Sequence, residues 1–347
     1  MKKIGVCGVY GDGPDFSGGQ PVKVKTMIKM LSDNYGSEHV LTANTAGWKK
    51  RPIKMLANCI KLAKECDGIV VLPAHNGMKV FLPLFLYLRR VYHFKLFYSV
   101  VGGWLASKAS ENLTLISWLT QLDGIWVETS KMKSELQDLG IDNITVIPNV
   151  KYLKAVSQSH IELSSDTLRC CTFCRVIKEK GIEDAIKAIE SLNGQGEYKA
   201  TLDIYGPIFE KYKEEFEALM QSVPDTIRYK GCAEPDESVL TLCRYDIQIF
   251  PTHYFTEGIP GSIVDSYAAA VPVVASRWNS YDDIVVERKT GLGYEIGNIS
   301  ELTMRLRELC EDRSLLTQMA ENCIELYREQ FTPESAIKKI VGAMGWD

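Results

Sequence analysis

The sequence lacks a hydrophobic run long enough to cross a membrane. Its most apolar stretch, residues 80–88, contains Pro83 and ends at Arg89 and Arg90, whereas a spanning helix needs roughly 20 apolar residues. We also expect no secretory leader, because Met1-Lys2-Lys3 leads directly into a strand-like segment. These absences predict a cytoplasmic protein whose membrane contact, where it occurs, is peripheral and at the inner face of the cell membrane.

Metal-binding patterns are equally scarce. Cys171 and Cys174 have C-x-x-C spacing, but no second pair accompanies them, so the ten cysteines indicate cytosolic thiols. Those two are better interpreted as small buried hydrophobic side chains. Asp282-Asp283 lacks D-x-D spacing and lies in a polar loop, which favours a solvated turn. We therefore expect no metal and no other cofactor.

Composition and charge predict two ordinary globular domains. The 347 residues are 46% hydrophobic and 24% charged, which excludes disorder and leaves enough apolar mass for two cores. Residues 1–150 carry 18 Lys and Arg against 12 Asp and Glu, a net +6, while the remainder carries a net −10. A basic half attracts anionic membrane surfaces or acidic ligands; we expect no nucleic-acid partner.

Strand and helix patterns alternate along both halves of the chain. Apolar runs predict strands, and amphipathic or apolar segments between them predict helices. Such strands imply parallel sheets that are covered on both faces. The predicted strands cover residues 4–9, 39–42, 67–73, 96–101, 124–128, 145–150, 168–174, 200–205, 226–230, 247–250 and 272–275.

Two doubly wound α/β units in tandem follow from this pattern. We predict an N-terminal domain over residues 1–155 and a second domain over 165–331. Residues 151–168 are polar and patternless, which indicates a linker that includes Ser159, Ser164 and Ser165. A C-terminal helix at 332–347 is expected to pack back on the first domain. Ligands bind outside the carboxyl ends of strands in such sheets, so we expect the site in the cleft between the domains.

The most informative motif, Thr256-Glu-Gly-Ile-Pro-Gly-Ser-Ile-Val-Asp265, follows a predicted strand and opens a helix. Pro260 suits a first helical turn, which would leave the amides of Gly261, Ser262 and Ile263 free to bind phosphate. Glu257 and Asp265 flank that anion site, as a nucleotide sugar with hydroxyls at both ends requires. The alternative is an ordinary loop before a proline-started helix.

A second motif, Arg175-Val-Ile-Lys-Glu-Lys180-Gly181, comes directly after another predicted strand. Two cations that leave the carboxyl end of a strand can neutralise a diphosphate, since Arg offers a planar fork and Lys a point charge. Considered alone, the segment fits a solvated basic turn equally well.

Together these motifs make the chain resemble the retaining glycosyltransferases of family 4, which have the two-domain GT-B fold. The resemblance covers nearly the whole chain and is densest over residues 173–291. Two motifs show the resemblance. One is Arg175 followed by Lys180-Gly181, and the other is Glu257-Gly258-x-Pro260 with a second acid eight residues after Glu257. That second acid is Asp265, where the family usually has Glu.

The resemblance makes the domain at 1–155 the acceptor side and the domain at 165–331 the nucleotide-sugar-binding side, and it implies roles for single residues. Arg175 and Lys180 would hold the donor diphosphate, Glu257 would contact the transferred sugar, and Asp265 would bind the ribose hydroxyls. The nucleobase would lie near Tyr205-Gly206 and the loop 231–235. The glycine-rich loop at Gly18-Gly19 would let the backbone approach the phosphate and acceptor.

One departure concerns the sugar pocket. Many family members carry a His after the strand that corresponds to residues 96–101, where this chain has Val101-Gly102-Gly103-Trp104. No catalytic His is therefore carried over. His75 and His253 lie at predicted strand ends, and either a hydrogen bond in the pocket or a structural role would explain them.

The predicted helix 52–65 combines Ile53, Leu56, Ala57 and Ile60 with Lys54, Lys61 and Lys64. It fits anionic lipid head groups and collection of a lipid-linked acceptor. We favour instead a helix that covers the sheet and has a solvated outer face.

Three other functions fit the sequence less well than glycosyl transfer does. A dinucleotide-binding site at Gly5, Gly8 and Gly11 is disfavoured, because residues 12–19 separate these glycines from the next helix. A GT-B nucleotide-sugar epimerase needs acid and base side chains that the N-terminal loops lack. A non-catalytic sugar-nucleotide-binding subunit of a polysaccharide assembly complex fits poorly with an intact Glu257, Arg175 and Lys180.

Overall fold

The computed structural model describes residues 2–11, 18–157 and 166–346. Residues 158–165 of the predicted linker, including Ser159, Ser164 and Ser165, lie outside the described residues, as does the segment 12–17 before Gly18. The chain divides into two compact units, one made of Met1–Tyr152 with Phe331–Asp347 and the other of Leu153–Gln330.

The first unit is built on a parallel sheet whose central strands are buried on both faces. Every residue of the first and third strands is buried, as expected of continuous apolar runs. The strand order is β2-β1-β3-β4-β5-β6. The strands are β1 Ile4–Gly8, β2 Val40–Asn44, β3 Gly68–Leu72, β4 Lys95–Ser99, β5 Gly124–Val127 and β6 Ile144–Val146.

Helices cover both faces of this sheet. Two of them, α4 and α6, were not predicted, although Thr129 caps α6 by accepting a hydrogen bond from the Met132 amide at 3.1 Å. The third helix begins at His75, after the short link Pro73-Ala74 that follows the third strand. The helices are α1 Gly19–Tyr35, α2 Pro52–Glu65, α3 His75–Tyr92, α4 Leu105–Ser110, α5 Leu113–Leu119 and α6 Ser130–Gln137.

The second unit repeats this architecture with the strand order β12-β11-β10-β7-β8-β9. Its strands are β7 Leu168–Phe173, β8 Ala200–Tyr205, β9 Ile227–Gly231, β10 Ile247–Phe250, β11 Val273–Ser276 and β12 Gly291–Tyr294. Its helices are α7 Ile182–Gly194, α8 Lys213–Ser222, α9 Ser238–Leu242, α10 Gly261–Ala268, α11 Ile299–Glu311 and α12 Arg313–Gln330. Two doubly wound α/β units with parallel sheets confirm the predicted fold class.

The last helix, α13 (Pro333–Met344), belongs to the first unit. Ala336, Ile340 and Met344 join the core formed by β1 and α1. Trp346 lies against Gly68 so closely that a Cβ there would sit 2.6 Å from the indole.

Helix α2 covers the sheet with a different set of side chains from the predicted one. Met55, Cys59, Leu62 and Ala63 are buried. The other side of the helix is exposed to solvent, as expected, but it carries the apolar side chains Ile53, Leu56 and Ala57. Within the described residues, no helix is both long and apolar enough to traverse a bilayer.

Candidate active site

The strongest candidate site lies at the carboxyl ends of β7, β8 and β10, which are neighbours in the second sheet. Loops that follow adjacent parallel strands meet at one edge of a sheet, so the sequence motifs after β7 and β10 come together there.

Lys180 is the best defined charge in this region. It ends a short turn (Lys178–Lys180) after β7, and its side chain is buried. Its Nζ lies 2.5 Å from Oε2 of Glu257 and 5.0 Å from the centre of the Phe250 ring. A buried ammonium needs such a counter-ion, and the pair joins the two predicted motifs directly.

Gly181 fixes the approach of the Lys180 turn to the end of β10. Its φ is +63°, and a Cβ there would lie 2.0 Å from the carbonyl oxygen of Pro251. The His253 amide donates to the Glu179 carbonyl oxygen at 2.8 Å. The close contact explains why glycine is required after Lys180.

Helix α10 begins one residue later than predicted. Pro260 is its N-cap, with φ −66° and ψ 123°, and not its first helical residue. The Ile263 amide nevertheless donates to the Pro260 carbonyl oxygen at 3.1 Å in a 3₁₀-type bond of the first turn, so the prediction of three free amides is wrong. Among the described residues, the amides of Gly261 and Ser262 have no such acceptor and remain available to an anion.

Arg175 and the end of β8 line a cavity of ≈ 200 Å³. The Arg175 side chain is exposed, and within the described residues it forms no ion pair. Other walls of the cavity are Phe173, Tyr205, Gly206 and the segment Cys232–Ala233. An unengaged guanidinium thus stands beside a space of a size suited to one aromatic ring.

Tyr205 and Gly206 have defined conformations in the cavity wall. The Tyr205 hydroxyl shares a 2.8 Å hydrogen bond with the hydroxyl of Tyr245, which donates to Asp203. Gly206 has φ +138°, and a Cβ would lie 1.8 Å from the Cys174 carbonyl oxygen. Only glycine allows this crossing of two loops.

His253 and Asp265 are held within the second unit. The His253 Nε2 lies 2.6 Å from Oδ2 of Asp184, the third residue of α7. Asp184 was not identified from the sequence, because a carboxylate in the first turn of a helix is common without function. Asp265 is buried in the second turn of α10 and interacts with other residues of the chain. Gly258 lies in the loop that precedes α10.

The first-unit candidates follow β1, β3 and β4, which are also neighbours. Gly18 is the N-cap of α1, and a Cβ at Gly19 would meet no atom within 4 Å. The rings of His75 and Trp104 pack edge to face at 5.2 Å. Gly102 has φ +80° in the turn that continues with Gly103. These residues line one sheet edge, and their roles remain predictions.

The cysteines near the site are unsuited to nucleophilic chemistry. Burial raises the pKa of the Cys174 thiol to about 11, although Lys180 lowers it in part. Burial also raises the pKa of Cys171 well above its ordinary value. Both thiols are therefore protonated near neutral pH. Within the described ranges, no three potential ligands are grouped so as to hold a metal ion.

Comparisons with known proteins match the second unit to a glycosyltransferase family. Residues 157–326, just under half of the chain, match the family described as glycosyl transferases group 1. A lipopolysaccharide core biosynthesis glycosyltransferase, LpsE of Rhizobium meliloti, is 23% identical over 67% of this chain and 67% of its own length. CapM of Staphylococcus aureus, a capsular polysaccharide biosynthesis glycosyltransferase, is 24% identical over 46% of this chain. The matched region covers only 41% of the length of CapM.

Solved structures share the fold at lower identity. Anabaena HepE in complex with UDP has a TM-score of 0.79 at 17% identity and covers 99% of both chains. Sucrose-phosphate synthase of Thermosynechococcus elongatus has a TM-score of 0.75 at 14% identity, over 99% of this chain and 98% of its own. The chain therefore has a GT-B fold and carries a glycosyltransferase group 1 domain, which makes it an enzyme of the transferase class.

Proposed function

We propose that the chain is a retaining, metal-independent glycosyltransferase of family 4 that uses a nucleotide-diphosphate sugar. The acceptor is a glycan or a lipid-linked molecule, and the setting is the cytoplasmic side of bacterial surface-polysaccharide synthesis. The descriptions of LpsE and CapM, which name lipopolysaccharide core and capsular polysaccharide biosynthesis, support this setting.

The observation that carries the proposal is the ion pair between the buried Lys180 and the half-buried Glu257, close before the start of α10. A bound diphosphate would give the ammonium a second anionic partner, while the Gly261 and Ser262 amides and the helix dipole add further positive charge. Glu257, held by Lys180 through Oε2, keeps its other carboxylate oxygen for a sugar hydroxyl. The charge of the diphosphate is thus neutralised by the protein itself.

The cavity beside Arg175 supplies the place for the nucleobase. Tyr205 and Phe173 offer aromatic faces with ring centres 5.7 Å apart, and the Gly206 backbone permits close approach. Arg175 at the cavity wall would bind a phosphate oxygen of the same ligand through its planar fork. Asp265 is assigned to the ribose hydroxyls.

Transfer would proceed by front-face attack. The bond from the anomeric carbon to the leaving phosphate oxygen breaks while the acceptor oxygen attacks from the same side, and that phosphate oxygen receives the acceptor's proton. Arg175, Lys180 and the α10 amides stabilise the charge that develops on the diphosphate, usually the largest catalytic contribution. The transition state resembles an oxocarbenium ion.

A calorimetric panel of UDP, GDP, dTDP and ADP tests the binding part of this proposal. UDP comes first, because the HepE, TarM and GtfA structures contain it. Slow hydrolysis of the matching nucleotide sugar, with the anomeric configuration of the released sugar followed by NMR, tests the rest. Binding without hydrolysis would favour a non-catalytic subunit, and isomerisation of the nucleotide sugar would favour an epimerase.

A further inference from the structure

Helix α2 carries an apolar stripe on the side that points away from the core. Ile53 is 85% exposed and Leu56 44% exposed, and the exposed Ala57 continues the stripe at helical spacing, whereas Ile60 is half-buried against the core. The opposite side of the same helix is buried through Met55 and Cys59. Isolated exposed aliphatic side chains are ordinary, but a stripe opposite the buried face of an amphipathic helix is not explained by packing within the unit.

Helix α3 continues this surface. Val80, Tyr87 and Val91 are exposed along one side of the helix, with Tyr87 at 65% and Val91 at 57%, while Phe81 and Phe85 are buried on the other side. Both helices bury their inner faces in the same hydrophobic core on one face of the first sheet. Their outward stripes therefore face the same direction.

The charges around these stripes are almost all positive. Residues 48–94 carry nine Lys and Arg, against the acids Glu65 and Asp67 only. Arg89 pairs with Asp123. Within the part of the chain that the structure describes, the other exposed cations of this surface have no carboxylate within ion-pair distance: Lys49, Lys50, Arg51, Lys54, Lys61, Lys79 and Arg90.

We propose that the outer faces of α2 and α3 dock on an anionic lipid bilayer. Exposed aliphatic and tyrosine side chains insert at the boundary of the head groups, and a rim of lysine and arginine pairs with anionic lipids. A second copy of the chain is a poorer occupant, because pairing this face with itself would bring like charges together. The aliphatic stripe is likewise unsuited to stacking on nucleic-acid bases.

Docking through this surface deepens the proposed function. If the enzyme uses a lipid-linked acceptor, the surface brings the first unit against the leaflet that contains the acceptor. Binding to lipid itself needs neither donor nor acceptor, so it is measurable separately from sugar transfer.

Co-sedimentation with vesicles tests the proposal. The vesicles contain either phosphatidylcholine alone or equal parts of phosphatidylcholine and phosphatidylglycerol, at low and high salt. The wild-type chain is expected to bind the anionic vesicles preferentially and to lose binding as salt rises. The variant Lys54→Gln/Lys61→Gln should bind roughly thirtyfold more weakly, since each surface cation contributes about fivefold.

Ile53→Ser/Leu56→Ser should weaken binding by roughly tenfold or more without changing charge. Two matched controls should bind as the wild type does. Lys338→Gln/Lys339→Gln removes two exposed lysines from α13, and Leu240→Ser/Met304→Ser removes two exposed apolar side chains from the second unit.

Nucleotide affinity is measured on every variant to separate the two proposals. The surface variants should keep it, and Lys180→Ala should keep vesicle binding, so failure of one proposal leaves the other standing. Equal binding to neutral and anionic vesicles, equal losses in the control variants, or a dimer in sedimentation that the Ile53→Ser/Leu56→Ser change abolishes would overturn the docking proposal.

Discussion

Lys178 and Lys180 lie two residues apart in one turn but differ in every property that matters for binding an anion. Lys178 is 67% exposed and pairs with Glu215, whereas Lys180 is buried against Glu257. Lys180→Ala is therefore expected to weaken nucleotide-diphosphate binding and to lower kcat by about 10²–10³. Lys178→Ala should change both by less than about fivefold, as an exposed ion pair contributes little.

Calorimetry and donor-hydrolysis rates measure this difference. Arg175→Ala belongs in the same series, and its loss should appear chiefly in nucleotide affinity because its guanidinium lines the cavity. Equal effects of the Lys178 and Lys180 substitutions would contradict the assignment of the diphosphate site.

Substitutions at Gly181 and Gly196 distinguish the effect of a steric clash from the effect of backbone strain. Both have left-handed φ, +63° and +75°, but only at Gly181 would a Cβ meet another atom, the Pro251 oxygen at 2.0 Å. Gly196→Ala should cost about 1–2 kcal/mol of stability through its φ alone. Gly181→Ala should cost more and also lower nucleotide affinity, because Lys180 moves with the turn.

Urea unfolding and UDP titration of the two glycine variants provide the test. If both variants lose the same stability and keep UDP binding, the close packing of Gly181 under His253 is not what positions Lys180.

Single residues show where sequence reasoning succeeds and where it stops. The residue types and spacing around Lys180 and Glu257 predicted that two motifs serve one site, and the structure joins them at 2.5 Å. The pairing of His253 with Asp184 was not predictable, since 69 residues separate them. The Ile263 amide is engaged because the first turn of α10 is tightened into a 3₁₀-type bond to Pro260, a local detail that the sequence does not specify.

At the scale of elements, buried strands were the easiest to predict. The apolar runs of β1 and β3, which are buried along their whole length, can lie only inside a covered sheet, so their positions follow from composition. The short helices α4 and α6 and the glycine-rich strand β12 were missed, because tertiary contacts rather than local propensity stabilise them. For α2, helical periodicity was evident, but two apolar stripes competed and only the structure shows which is buried.

Helix α1 is tied to the ends of β4 and β5 by one buried ion pair. The Lys23 Nζ lies 2.6 Å from Oε1 of Glu128 and also donates to the Val100 carbonyl oxygen. Lys23→Met would leave a buried carboxylate without its cation and should destabilise the first unit by about 3–5 kcal/mol. Lys29→Met, which breaks an exposed pair with Asp33 in the same helix, should cost less than about 0.5 kcal/mol.

The double variant Lys23→Met/Glu128→Leu distinguishes desolvation from simple loss of packing. Removing both charges should restore part of the stability that Lys23→Met loses, as measured by chemical denaturation. A double variant as unstable as the sum of the two single variants would exclude coupling between these side chains.

At the scale of the whole molecule, the order of elements along the chain differs from their grouping in space. The first unit is completed by residues 331–347, which follow the entire second unit. Sequence periodicity indicated a terminal helix, and its place in the first core depends on contacts of Ile340, Met344 and Trp346 with strands more than two hundred residues earlier. Packing of this helix on the first domain was expected from the sequence, but local patterns do not specify the individual contacts that produce it.

Deleting residues 331–347 should therefore damage the first unit selectively. Each large buried side chain of residues 331–347 contributes about 1.5–3 kcal/mol to stability. The loss of Ile340, Met344 and Trp346 together therefore approaches the roughly 5–15 kcal/mol that stabilises a whole domain. Hydrogen exchange should show β1 and β3 losing protection in the truncated chain, while β7 and β10 keep theirs. The point variant Trp346→Ala should produce the same pattern to a smaller extent, since it only uncovers Gly68. Unchanged protection of β1 after truncation would mean that α13 covers a core that is already stable without it.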